Sequence, residues 1–125
     1  MMPYERLAAW QRCHELVLMT YRRTAPWPKH EMYGLIAQTR RAVVSIPLNI
    51  AEGSAKRGSR EFRRYLDIAL SSLSELSYCF LLARDLRYLK AEDWQELDTL
   101  RGHAGLLTWR LYDSIAKAAD NLKLK

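Results

Sequence analysis

The 125-residue sequence predicts an all-α fold, an antiparallel up-down-up-down four-helix bundle forming one domain over residues 1–125. Three observations predict it. Apolar residues recur at helical spacing along almost the whole chain, no segment keeps strand alternation, and the breaks between periodic stretches are short. Composition agrees, with 49% apolar and 27% charged residues, the balance of a chain able to bury a core. No internal repeat or low-complexity tract interrupts the pattern.

The first stripe is Leu7, Trp10, Cys13, Val17, Thr20, Tyr21 and Thr24, widened by Leu16. It stops at Ala25-Pro26-Trp27-Pro28, because proline disfavours helix at the residue before it. The second helix is expected over residues 29–52, through Leu35, Ile36, Thr39, Ala42, Val43, Ile46 and Ile50. Gly53 then fits the left-handed position just past a helix end. Ser59 suits the N-cap of the third helix, with Glu61 in its first turn. Its stripe of Phe62, Leu66, Ala69, Leu73, Leu76, Phe80, Ala83 and Leu86 keeps a heptad-like seam, which favours neighbours at a shallow left-handed angle. The fourth begins near Ala91, with Glu92 and Asp93 at its positive end. It continues through Trp94, Leu97, Leu100, Ala104, Leu107, Leu111, Ile115, Ala118 and Leu122. Lys117, Lys123 and Lys125 suit the negative end of its dipole.

No uncharged apolar run reaches the ~18 residues of a membrane span. The N-terminal MMPYERLAAW has an acid at Glu5 and no apolar signal-peptide core. The expectation is a cytoplasmic protein with no membrane partner. Cys13 and Cys79 then read as small buried core residues rather than a disulfide.

The net charge of +6 is unevenly placed. Residues 1–53 carry seven Lys or Arg against four Asp or Glu, and residues 67–125 carry eight against nine. Residues 54–66 carry Lys56, Arg57, Arg60, Arg63 and Arg64 against Glu61 alone, a local +4. Such a field favours anionic partners, although a charge run also serves simply as a solvated face.

Two features of the second helix stand apart. Pro47 lies inside it, removing a backbone hydrogen bond and crowding the carbonyl of Val43, so a bend is expected there. Ser45 is placed to bond a freed carbonyl. A polar stripe of Gln38, Arg41, Ser45, Asn49 and Glu52 runs beside the apolar one. The third helix offers Asp67, Ser71, Ser74, Glu75 and Tyr78 to match it, with Arg41 and Glu75 as an ion pair. The stripe is therefore either a polar seam between helices or subunits, or a solvated face.

Catalytic and metal signatures are missing. None of His14, His30 and His103 has a Glu three positions before it, as a di-metal carboxylate bundle requires. No Cys-x-x-Cys, His-Glu-x-x-His or Gly-x-Ser-x-Gly occurs. No enzyme activity, metal or cofactor is expected. In NIAEGSAKRGSRE (Asn49 to Glu61), Gly53 and Gly58 have the glycine spacing of a phosphate loop. Ser59-Arg60 replaces its Lys and hydroxyl residue, and a helix precedes it rather than a strand. What remains is a basic, glycine-containing turn at the start of a helix, able to attract phosphate.

Taken together, GLIAQTRRAVVSIPLNIAEGSAKRGSREFRRYLDIALSSLSEL and LLARDLRYL resemble the bacterial 23S rRNA-intervening-sequence proteins. The family pattern lies on Gly34, Leu35, Gln38, Arg41, Ala42, Ser45, Ile46, Asn49, Ile50, Ala51, Glu52 and Gly53. It continues on Glu61, Phe62, Leu66, Ala69, Ser72, Glu75 and Leu76, with Ser71-Ser72 where Gly-Ser is usual. The resemblance implies a four-helix bundle assembling into a homopentameric ring. It also implies kinship with the accessory variability determinants of diversity-generating retroelements, which bind nucleic acid and a reverse transcriptase. The expected function is a non-enzymatic, ring-forming homo-oligomer that binds RNA or DNA phosphates through Lys56, Arg57, Arg60, Arg63 and Arg64. The alternative is a scaffold that recruits a protein partner, with Trp27, Tyr33 and Trp94 as candidate aromatic anchors.

Overall fold

Four helices account for most of the computed structural model, which describes residues 1–124 and side chains as far as Leu122. They are α1 (Ala8–Thr24), α2 (Leu35–Ser54), α3 (Ser59–Asp85) and α4 (Ala91–Leu124). Each packs on its neighbour in sequence, and α4 closes back onto α1, so the helices stand at the corners of a square. The core fills the centre with Leu16, Val43, Ile46, Ile50, Leu66, Leu76, Phe80 and Leu97, all fully buried. Cys13 and Cys79 are buried free thiols, and burial pushes the Cys13 thiol up to about 11. Lys123 and Lys125, expected to suit the α4 dipole, lie outside the described side chains.

α3 is long and apolar enough by composition to cross a membrane. Here that composition serves the bundle: α3 packs against both α2 and α4 and buries Leu66, Ala69, Leu73, Leu76, Phe80 and Ala83. Polar residues on the apolar stripes are accommodated locally. Thr24, Thr39 and Thr108 are buried, and each hydroxyl donates to the carbonyl four residues back, at 2.7–2.8 Å.

The ends of the helices differ from the sequence expectation in three places. α2 begins at Leu35 rather than near Lys29, because Lys29–Glu31 form a separate 3-10 turn and the chain bends again at Gly34. Glu31 then reaches forward, accepting the Leu35 amide at 3.1 Å and the Tyr88 hydroxyl at 2.9 Å. One carboxylate thereby caps α2 and ties it to the α3–α4 turn.

Gly53 is not a left-handed cap. It lies inside α2, buried, where an added Cβ would stand 2.8 Å from the Cβ of Tyr65 and 3.0 Å from Cδ1 of Phe62. Its place is close helix approach. The positive φ belongs to Gly58, at φ 87 and ψ 151, which is the N-cap of α3 in place of Ser59. At the other end of α3, Arg87 takes the left-handed conformation at φ 65, and the Tyr88 amide closes back on the Ala83 carbonyl at 2.8 Å.

Pro47 is buried within α2, and the helix continues through it to Ser54. Val43, Ile46 and Ile50 are fully buried on either side of it. Core packing outweighs a proline cost of about 3 kcal/mol. Tyr21, Leu86 and Leu122, placed on apolar stripes, are exposed. Tyr21 instead carries the Arg40 guanidinium, 4.5 Å from its ring centre.

Two stability outcomes follow from these ends. Gly53→Ala should lower the thermal midpoint by forcing α2 and α3 apart, a loss of about 1–3 kcal/mol from overpacking. Gly58→Ala should lose about 1–3 kcal/mol through backbone strain alone, since nothing lies within 4 Å of its Cβ position. Equal melting of either variant and the parent would contradict the respective reading. The Leu35 amide, then the Tyr88 hydroxyl, hold the Glu31 carboxyl below its usual range. Its folded value is depressed, so its contribution is complete above the unfolded value near 4.5 and fades as pH falls through the folded value. Melts across that acid window should show a shallower loss for Glu31→Gln than for the parent.

Candidate nucleic-acid interface

The basic stretch forms the turn joining α2 to α3 and the first two turns of α3. Lys56, Arg57 and Arg60 are exposed, and none has a hydrogen-bond or ion-pair partner among the described residues. Arg64 is exposed but paired with Glu61 at 3.3 Å, which favours its protonated form. Arg63 is half-buried, its Nε donating to the Ser59 carbonyl at 3.4 Å. Tyr65 gathers two of the cations: Lys56 Nζ lies 5.5 Å and Arg64 Cζ 4.8 Å from its ring centre. A shallow groove of about 470 Å³ opens beside them, lined by Arg60, Glu61, Arg63, Arg64, Asp67 and Tyr112.

The polar stripe of α2 divides in two. Gln38 donates to Glu75 at 2.6 Å and accepts from Arg41, so Gln38 stands between the two groups expected to pair directly. A glutamine amide can donate and accept at once, and here it relays one charge to the other. One turn further on, Ser45 meets Ser72 across the α2–α3 boundary at 2.9 Å, and Asn49 Nδ2 donates to the Ser45 hydroxyl and carbonyl. Ser45 therefore bonds across the helix pair rather than to a carbonyl freed by Pro47. Ser71, Ser74 and Asp67 point outward, and it is Ser72 that is buried. Glu52 is exposed, with no side-chain partner among the described residues.

A family model described as 23S rRNA-intervening sequence protein matches residues 5–105. The chain belongs to this family. A crystal structure of a protein of unknown function from the S23 ribosomal protein family of Bacteroides thetaiotaomicron VPI-5482 has the same fold. The two share 18% identity over 84% of this chain and 98% of that one, with a TM-score of 0.75. No curated protein matches.

In this intervening-sequence protein the other surface features lie away from the basic turn. A groove of about 800 Å³ between α1 and α4 has an apolar floor at Met19 and Leu100 and carboxylates at Glu15, Glu92 and Glu96, a lining that repels phosphate. His103 also lines it. Among the described residues no cluster of three His, Cys, Asp or Glu side chains could hold a metal ion. Arg40 is engaged by α1: its Nε donates to Thr24 Oγ1 at 2.9 Å and its Nη2 to the Tyr21 carbonyl at 3.3 Å. It acts as a cation on the last turn of a helix, where carbonyls lack partners.

Trp27 is a core residue, only 3% exposed, and Trp94 is half-buried with Arg84 4.6 Å from its ring centre. Tyr33 alone of the three expected anchors stands free, at 94% exposure. The aromatic surface that sequence reasoning passed over is on α4, where exposed Trp109 stacks on Tyr112 at 5.6 Å. Their three-residue spacing was visible, but their position beside the start of α3 was not.

The Ser45–Ser72 contact is open to a double-mutant cycle. Ser45→Ala and Ser72→Ala should each cost about 1 kcal/mol, and the double variant should cost less than the two together. Strict additivity in urea melts would show that the hydroxyls do not act as a pair.

Proposed function

We propose that this protein is a non-enzymatic, ring-forming homo-oligomer that binds nucleic acid through the phosphate backbone. The observation that carries the reading is the trio Lys56, Arg57 and Arg60, exposed and without an ion-pair or hydrogen-bond partner among the described residues, on the α2–α3 turn and the first turn of α3. Elsewhere many cations are occupied: Arg12 by Glu15, Arg23 by Asp93 and Glu96, Arg101 by Asp98, Arg40 by the end of α1. A cation without an internal partner is available to a phosphate, and a ring would set several copies of the trio side by side. Arg64 and Arg63 are secondary contacts, since each already has an internal acceptor.

Self-association is supported by a groove between α1 and α2. Two pockets that share Val44 and Leu48 run from Trp10 and His14 to Tyr21, and Leu48 is 52% exposed. Leu18 and Tyr21 extend the apolar surface along α1. The same groove favours the second reading, a scaffold that recruits a different protein without touching nucleic acid. Size measurement separates the two at once: the ring reading needs a homo-oligomer from the purified chain alone.

Binding should be weakly sequence-specific and strongly salt-dependent, because it rests on counterion release. Replacing Lys56, Arg57 and Arg60 together with Ala should flatten the dependence of log affinity on log salt by about 3 units at most, with oligomer size unchanged. Affinity that ignores salt, or no binding at low salt, overturns the proposal.

A further inference from the structure

The Trp109–Tyr112 pair joins the basic groove to an exposed aromatic face. Tyr112 lines the groove together with Arg60, Arg63 and Arg64, and its ring lies 18° from parallel to that of Trp109, with centres 5.6 Å apart. Trp109 is 51% exposed on the outer side of α4. The two residues lie past the span matched by the family model, so they form a feature separate from that resemblance.

We infer that this pair is a base-stacking platform and that the nucleic acid bound here is single-stranded. The inference rests on the phosphate-binding reading above and names its substrate class. Charge along the groove sets the orientation. Arg60 holds phosphate, with Arg63 and Arg64 as secondary contacts, and Glu61 in the same lining is neutralised by Arg64. Asp67, one turn further along α3, repels phosphate from its end of the groove. The aromatic end is thus left to a base. In a duplex each base face is covered by its neighbours, so an aromatic face finds nothing to stack on. In a single strand the base turns outward and lies on the ring, with little regard to its identity. Lys56 and Arg57 on the preceding turn extend the cationic path along the backbone.

The test uses the full chain with fluorescein-labelled oligo(U), oligo(dT) and a blunt duplex of equal length, each at two salt concentrations. Both single strands are expected to bind more tightly than the duplex. Trp109→Ala should weaken single-strand binding by about fivefold or more at both salts, since stacking is worth ~1–3 kcal/mol per base. Duplex affinity and the salt slope should stay unchanged, and Trp109→Phe should retain most of the binding. Tighter binding of either single strand than of the duplex supports the platform, whichever of oligo(U) and oligo(dT) binds better. Equal affinity for single strand and duplex, unaffected by Trp109→Ala, overturns the inference while leaving phosphate binding standing. A smaller oligomer on Trp109→Ala also overturns it, by showing that the aromatic face is a contact between copies. Absence of binding to every probe overturns the phosphate reading and this one together.

Discussion

The α2–α3 hairpin depends on one close approach, in which Tyr65 occupies the space a side chain at position 53 would need. Because Gly53 has none, the two helices meet backbone to side chain, and Phe62 closes the same contact from one turn earlier. Gly58 completes the hairpin from outside by adopting a conformation that L side chains avoid, which lets α3 start four residues after Ala55. Tyr65 is thereby placed with its ring over the turn, where it draws in Lys56 and Arg64. The contact that closes the hairpin is also the one that arranges its cations. Five basic residues against a single acid would repel one another in a shorter turn. The aromatic face, Glu61 and the open solvent relieve that repulsion.

Some cations elsewhere are engaged within the bundle. Arg6, Arg22, Lys29, Arg87, Lys90 and Arg110 are exposed with no side-chain partner among the described residues, so what sets the trio apart is its clustering at one turn. Arg40 rests on the ring of Tyr21 and completes the unpaired end of α1. Arg41 reaches Glu75 through Gln38, adding a polar strap to the helix pair that the Ser45–Ser72 contact already joins. These groups are partly exposed, and each exposed ion pair contributes little by itself. Their collective effect is register: the hydroxyls, the amide and the charges meet only when α2 and α3 stand at one relative height. The heptad-like stripe of α3 supplies affinity between helices, and the polar strap selects one alignment.

Much of this architecture was legible in the chain. The number of helices, their order and their faces follow from apolar spacing, which is a local property of each segment. The breaks at Pro26 and Pro28 and near Gly58 were legible for the same reason. Other features could not be read in this way. A glycine before a basic loop reads equally well as a left-handed cap or as a close contact, and only Tyr65, twelve residues on, distinguishes them. Lys29–Glu31 have helical character, yet the helix proper waits for Leu35 because Glu31 turns its carboxylate to the amide ahead and to Tyr88. Trp27 looked like an exposed anchor between two prolines, but the square of helices leaves it facing inward.

The sequence by itself determined the four amphipathic helices, the family and the concentration of positive charge at one turn. Only the tertiary structure decided which cations stay unpaired, which glycine is bent and which is crowded, and that the aromatic pair of α4 stands beside the start of α3. The reason is physical. Periodicity and net charge are sums along the chain, whereas a hydrogen bond, a missing Cβ or a stacked ring depends on a neighbour that folding brings from elsewhere.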